Sequence, residues 1–432
     1  MNPRQLAAAA LLDMERRGGY SNLLLEPRLR GEALSPRDRA FSTTLFYGVL
    51  ERKITLDWVI AHYSRTPPAK LDPEVLTALR LGALQLMEFS SIPPSAAVSE
   101  SVEVARALGK AKAAGLVNGV LRAMVRGNCA APPPKDKLTA LSVEYSVPAP
   151  LIQRWRKAYG HDTTLEILGG TRGPAPTFLR VNTVKTTAAG LQERLLADGL
   201  HSREVAGVEN ALELLTPASI GEIPAFQEGL FHVQDISSQL CAAALAPRPG
   251  MMVLDLCAAP GGKTFTLAER MENRGQVVAR DLYPQRVKLV EDGAARLGLT
   301  SVTAETGDAL LYDPALEGKF DRVLCDVVCS GFGTMRRKPE IRYKPLDSLD
   351  GLPEVQYNIL ENASHYLKKG GRLVYSTCTL LPEENDQVAE RFLREHSEFF
   401  LPCPAKTHIH GRDGLDCDGF FTAVFERKEE PR

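Results

Sequence analysis

The chain has 432 residues, of which 44% are hydrophobic and 24% charged, with a formal net charge of −1. That length allows about two to four domains of ordinary soluble globular protein. The near-neutral total favours no partner class, and no stretch of about 20 uncharged apolar residues could span a bilayer. Eight cysteines at positions 129, 241, 257, 325, 329, 378, 403 and 417 contain no C-x-x-C pair, which argues against a zinc ribbon and leaves no metal expected.

The charge is unevenly distributed. Residues 1–130 carry 17 Lys+Arg against 12 Asp+Glu, a net +5, which leaves −6 for the rest. A basic N-terminal part is compatible with nucleic-acid contact, and equally with ordinary solvated helix faces. The opening MNPRQLAAAALLDMERRGG lacks a basic segment followed by a long apolar one, so a cytoplasmic protein with reduced thiols is expected. Leu6, Ala9, Ala10, Leu12 and Met14 begin an amphipathic helix that stops at Gly18-Gly19. Ser35-Pro36 caps a long helix from Arg37 to Ile60, with Phe41, Leu45, Phe46, Val49 and Leu50 on one face. Asp72-Pro73 opens another helix, Pro93-Pro94 breaks it, and Val98–Leu108 and Ala113–Val125 supply two more. This all-helical stretch resembles the NusB-like domain in its order of LSPRDRAFSTTLFYGVL, LRLGALQLMEF, IPPSAAVSESVEVAR and AGLVNGVLRAM. The resemblance implies an RNA-binding module over residues 1–130.

GNCAAPPP, residues 127–134, reads as a linker, and a helix is expected from about Leu151 to Tyr159, ended by Gly160. The strand pattern Thr177–Asn182, the helix pattern Leu191–Ala197 and the strand pattern Ala211–Leu215 predict a small α+β domain over roughly residues 140–230. Arg180 and Asn182 alternate with apolar neighbours, so they either face RNA or are simple exposed strand positions.

From Phe231 to the C-terminus, short apolar runs alternate with helical patterns, which predicts a doubly wound, Rossmann-like α/β domain over residues 231–432. Met252–Leu256 is a buried strand running into Cys257-Ala258-Ala259-Pro260-Gly261-Gly262-Lys263-Thr264 and then a helix. A P-loop would need Gly where Cys257 stands, and the dinucleotide spacing G-x-G-x-x-G is absent. A loop for S-adenosyl-L-methionine fits better, because this ligand has no phosphate and needs only close backbone approach to its amino-acid end. Asp281, at the end of the next strand, suits a ribose diol, and Asp308, after the third, suits an adenine amino group.

The fourth strand, Val323-Leu324-Cys325, ends in Asp326, followed by Cys329 and by Arg336, Arg337 and Lys338. Read alone, this stretch nominates Cys329 as a nucleophile and the cations as a grip on a polyanion. A later strand, Arg372–Tyr375, ends in Ser376-Thr377-Cys378, so a second thiol also stands at a strand end. Two thiols beside a methyl donor suit methylation of cytosine C5. Thiolate addition to C6 turns C5 into a nucleophilic, enamine-like carbon. Lys263 is a cation that could favour the thiolate.

LDLCAAPGGKT, ARDLYPQRV, TGDA, DVVCSGFGTMRRKPEIRY and YSTCTLLPEEN resemble the successive motifs of the RNA 5-methylcytosine methyltransferases. With the NusB-like part they resemble the RsmB (Sun/Fmu) family, which acts on 16S ribosomal RNA. The resemblance implies three parts: a NusB-like helical domain, a small α+β domain that positions RNA, and a Rossmann-like class I methyltransferase domain. It implies Cys378 as nucleophile, Cys329 as an aid to C5 deprotonation or product release, and Asp326 as the contact to N3, with Lys263 nearby. Cys257 to Lys263, Asp281, Asp308 and Asp326 would hold the cofactor, and Arg336, Arg337 and Lys338 would touch RNA. The family usually has proline where this chain has Val328, which loosens the backbone before Cys329 and restores an N–H donor. A monomer is expected. A tRNA cytosine-C5 methyltransferase and a non-catalytic ribosome-assembly factor remain as alternatives.

Overall fold

The computed structural model describes residues 1–17, 19, 21–31 and 34–429. The chain divides into two compact units: Met1–Arg172 with Met335–Lys344, and Gly173–Thr334 with Pro345–Arg432.

The first unit is helical: Pro3–Arg17, Ser21–Gly31, Pro36–Tyr63, Pro73–Glu88, Pro94–Ala107, Ala114–Arg126, Lys137–Tyr145 and Ala149–Gly169. The helix starts follow local chemistry. Ser35 accepts a hydrogen bond from the Asp38 N–H at 3.1 Å, and Pro36, Pro73 and Pro94 occupy first-turn positions where no N–H is needed. The first helix ends at Arg17, and Gly18 of the expected stop lies outside the described residues. Pro73–Glu88 is the central helix, buried from Val75 to Gln85. Its one buried cation, Arg80, makes a two-pronged pair with Asp57 at 2.7 and 2.8 Å and reaches Glu15 at 2.6 Å. Gly160 ends the expected helix: it adopts φ 78°, ψ −175° and kinks the chain, and a second helical stretch follows to Gly169, with the Thr164 hydroxyl donating to the Gly160 carbonyl at 2.6 Å. Lys137–Tyr145, capped by Asp136, was not legible beside the proline-rich linker.

Met335–Lys344 is fastened into this unit by Arg342, which is 1% exposed. Its guanidinium donates to the carbonyls of Glu51, Tyr145, Ser146, Thr171 and Met335 at 2.9–3.4 Å. The Tyr343 hydroxyl adds a bond to the Leu50 carbonyl at 2.7 Å.

The second unit holds two sheets. The smaller comprises β1 (Thr177–Val181), β2 (Ser202–Glu204), β3 (Ala211–Leu214) and β4 (Phe231–Val233), in the antiparallel order β2-β3-β1-β4. Arg180 and Asn182 do not present an RNA face. Arg180 is 3% exposed and donates to Glu269 at 3.3 Å and to the Glu209 carbonyl at 2.7 Å. Asn182, fully buried, donates to the carbonyls of Gly229 and Leu297, both at 2.8 Å. β1 is a central strand covered on both faces, so alternation along it does not mark exposure.

The larger sheet comprises β5 (Met252–Asp255), β6 (Gln276–Asp281), β7 (Val302–Thr306), β8 (Phe320–Asp326), β9 (Leu367–Thr377), β10 (Phe399–Phe400), β11 (Lys406–His408) and β12 (Phe420–Arg427). The order is β10-β12-β9-β8-β5-β6-β7, with β11 on β12. Strands β5 to β9 run parallel, while β12 is antiparallel to β9 over Phe421↔Thr377 to Glu426↔Arg372. The sheet is therefore mixed. The order reverses between β5 and β8, and the crevice beyond the carboxyl ends of those strands is where such sheets bind ligands. Among the described residues no helix is long and apolar enough to cross a membrane.

Candidate active site

Strand β5 delivers the chain into Cys257–Gly261 and the helix Gly262–Arg270. Gly261 has φ 110°, and a Cβ there would lie 2.3 Å from the Phe265 ring, so only glycine fits. The Ala259–Pro260 peptide is cis. Beside this turn lies a cavity of about 210 Å³ lined by Cys257–Pro260, Gly262, Lys263, Asp255, Asp326 and the segment around Gln234 and Ser238.

Two side-chain atoms at this cavity are buried without a protein partner: Asp255 Oδ1 and Gln234 Nε2. Their other atoms are engaged, Asp255 Oδ2 by the Thr264 hydroxyl at 2.7 Å and Gln234 Oε1 by the Thr266 hydroxyl at 2.7 Å. One orphan acceptor, one orphan donor and a helix N-terminus match the ammonium and carboxylate of an α-amino acid. The residues present therefore fit the amino-acid end of S-adenosylmethionine. Burial pushes the Asp255 carboxyl up to about 7, against the Thr264 hydrogen bond and with a further push from Asp326. The sequence offered Asp255 only as a strand residue and gave Gln234 no role.

Asp281, 3% exposed, accepts from the Ala259 N–H at 3.1 Å and pairs with Arg286 at 3.2 Å, so it meets the turn from the neighbouring strand. Asp308 stands apart from the lining of the cavity and accepts from the Leu310 N–H at 2.9 Å.

Strands β8 and β9 bring up the remaining groups. Asp326 lies opposite Ser376 in the ladder. Its carboxylate accepts from Lys263 Nζ at 2.6 Å and from the Ser376 hydroxyl at 2.8 Å. Burial disfavours the Lys263 charge, but Asp326 outweighs it and holds the ammonium pKa above its ordinary value. Cys378 is within electrostatic reach of the same ammonium.

Beyond Asp326 the chain follows the end of β9. The Val327 N–H donates to the Ser376 carbonyl at 3.1 Å and the Gly333 N–H to the Cys378 carbonyl at 2.9 Å. This sets Cys329 against Cys378, Sγ to Sγ 3.3 Å. The hydrogen bond to Cys378, and then burial, hold the Cys329 thiol well above its ordinary pKa. The two thiols are close enough to share a proton, and either sulfur can be its donor. Burial, with smaller pushes from nearby carboxylates, raises Cys241 to about 12 and holds Cys257 and Cys325 above their ordinary values too.

Lys263, Asp326, Cys329 and Cys378 thus belong to one site within the second unit. Arg336, Arg337 and Lys338 belong to the first, in the segment Met335–Lys344. Ser376, Ser238, Gln356 and Glu384 were not singled out from the sequence. Among the described residues no grouping of His, Cys, Asp and Glu could hold a metal ion.

Comparison with known proteins finds three matching families along the chain. The family described as 16S rRNA methyltransferase RsmB/F matches residues 242–420, the NusB family residues 1–126, and an RsmF/B-like ferredoxin-like domain residues 147–221. The probable ribosomal RNA small subunit methyltransferase B of Bacillus subtilis (strain 168) is 39% identical, with 98% of each chain covered. The ribosomal RNA small subunit methyltransferase B of Escherichia coli O1:K1 / APEC is 35% identical over 99% of each. The crystal structure of PH0851 superposes with TM-score 0.83 at 27% identity, covering 99% of both chains.

Proposed function

The chain belongs to the RsmB/F family of S-adenosylmethionine-dependent rRNA methyltransferases, and from that premise we propose that it methylates C5 of a specific cytosine in 16S ribosomal RNA through a covalent bond between Cys378 and C6. The observation that carries this reading is the thiol pair, Cys329 and Cys378 at 3.3 Å, beside the Lys263–Asp326 pair at 2.6 Å. S-adenosylmethionine supplies an electrophilic methyl group. The Cys378 thiolate adds to C6 while Asp326, held by Lys263 and Ser376 and entering the step as the carboxylic acid, donates a hydrogen bond to N3 and offsets the charge that develops. C5 takes the methyl group, with S-adenosylhomocysteine as the leaving group. Cys329, having passed its proton to water, removes the C5 proton. The C6–S bond then breaks, returning Cys378 as thiolate and leaving Cys329 protonated. The base must leave its stack for a thiol to reach C6.

Asp255, Gln234, Cys257–Lys263, Asp281 and Asp308 form the cofactor set in this reading. The helical part, residues 1–130, and the small α+β part, residues 140–230, position folded RNA, and Arg336, Arg337 and Lys338 contact phosphates. Such contacts set register without identifying the base.

The test is a pair of variants. Cys378→Ser is expected to abolish methyl transfer while S-adenosylmethionine still binds by calorimetry. Cys329→Ser is expected to accumulate an RNA–protein adduct that survives denaturing electrophoresis. Full activity of the first overturns the nucleophile, and absence of the adduct in the second removes the release role from Cys329.

A further inference from the structure

Cys329 is gripped on both sides by two buried side chains that the chemistry above does not use. Gln356, in the helix Leu352–Tyr366 and fully buried, donates through Nε2 to the Val328 carbonyl at 3.0 Å. The same nitrogen meets Glu384 Oε2 at 2.8 Å. Glu384, 2% exposed, accepts from the Ser330 N–H at 2.9 Å. The two neighbours of Cys329 are therefore pinned by one Gln–Glu pair.

The pair is itself anchored to the Cys378 side of the site. The Glu384 carbonyl accepts from the Tyr375 hydroxyl at 2.5 Å. Asn385 accepts from the Thr377 hydroxyl at 2.5 Å and donates to the Thr379 carbonyl at 3.0 Å. The Ser330 and Thr379 hydroxyls meet at 2.6 Å. One turn, Pro382–Asn385, thus ties the Cys329 loop and the Cys378 loop together. Glu384 Oε1 is buried without a partner, and no cation pairs with Glu384 among the described residues. The other groups facing Cys329 are Cys378, Asp326 and Tyr375.

We infer that Glu384 and Gln356 are positioning residues for Cys329: their hydrogen bonds to the Val328 carbonyl and the Ser330 N–H hold the backbone on either side of Cys329 and set its thiol against Cys378. The inference rests on the proposed two-thiol reaction for its consequence, but not for its test. A buried anion at this place raises the basicity of the Cys329 thiolate, which suits removal of the C5 proton.

Because coupled thiols titrate as a pair, the first measurement uses the full chain carrying Cys378→Ser. Iodoacetamide alkylation of Cys329 is followed against pH by peptide mass spectrometry, with and without Glu384→Gln, which keeps the shape and drops the charge. The midpoint is expected to move down by about one pH unit, and an unmoved midpoint overturns the proposal. The second measurement is turnover with Cys378 restored. Glu384→Gln alone is expected to lose about tenfold or more in turnover with the S-adenosylmethionine KM unchanged, and to change the rate of covalent adduct formation less than about twofold in the Cys329→Ser background. Equal losses in both backgrounds overturn the proposal in favour of a general effect on the fold. Gln356→Met, which keeps volume and removes the donor, is the second variant and is expected to show the same background dependence. If the midpoint moves while Cys329→Ser forms no adduct, the positioning stands and the release role of Cys329 fails instead.

Discussion

Cys329 and Cys378 are 49 positions apart in the chain and end 3.3 Å apart, and this juxtaposition carries most of the chemistry. Each thiol was legible as a residue at a strand end, and so was Asp326. Their division of labour came only with the family resemblance, because it depends on how the pair shares its proton, which a residue's place at a strand end does not encode. Asp255 was hidden for a similar reason: an aspartate ending a strand says nothing about whether its second oxygen will be left without a partner. Its carboxyl, pushed up to about 7 by burial, gives a pH dependence with a definite sign. The unfolded value is about 3.9, so the folded chain favours the protonated form. That contribution to stability is complete below about pH 4 and is lost as pH rises through about 7. A ligand ammonium at Oδ1 favours the ionised form instead. S-adenosylmethionine is therefore expected to bind more tightly as pH rises from about 6 to about 7.5, and to release a proton on binding near pH 6.5. Titration calorimetry in buffers of different ionisation heat measures that proton. Asp255→Asn should abolish the release; a wild-type chain that releases none would sink the assignment.

At the scale of elements, the strand–turn–helix of residues 252–270 and the strand ends at Asp281 and Asp326 were readable because short apolar runs and glycine turns are local signals. The brace of Gln356 on Val328 was not, since its partners lie 28 positions away. Nor was the antiparallel β12 legible as the cover of β9. Its consequence for the site is concrete at Gly333, whose carbonyl accepts from the Gly419 N–H at 2.9 Å. A Cβ at Gly333 would sit 1.8 Å from the Gly419 carbonyl oxygen. Gly333→Ala should therefore push the Cys329 loop off the strand edge and destabilise the protein by about 1–3 kcal/mol, read in thermal or urea unfolding. It should also lower methyl transfer, since the Gly333 N–H binds the Cys378 carbonyl. An unchanged melting temperature would contradict the close packing. The failed expectation at Arg180 and Asn182 belongs to this scale as well. Alternation reports exposure only for a strand with one open face, and β1 has none.

For the whole molecule, the helical N-terminal part and the α/β C-terminal part were separable in the sequence by their hydrophobic periods and by the punctuation between residues 127 and 150. What periodicity could not convey is that the chain leaves the second unit after Thr334, inserts Met335–Lys344 into the first, and returns at Pro345. Arg342 anchors that excursion through five backbone carbonyls, and a lone arginine among cations reads in sequence only as charge. The three cations before it ride on the same segment, which makes their expected contact with RNA a property of the first unit. The choice between 16S rRNA and tRNA as substrate also belongs here, because the reacting residues are the same for both. Bisulfite mapping of total RNA, after incubation of unmodified RNA with the purified chain and S-adenosylmethionine, decides it. A single new 5-methylcytosine in 16S rRNA, absent with Cys378→Ser, is the result expected; new 5-methylcytosine confined to tRNA, or 16S methylation that persists in Cys378→Ser, would contradict the account.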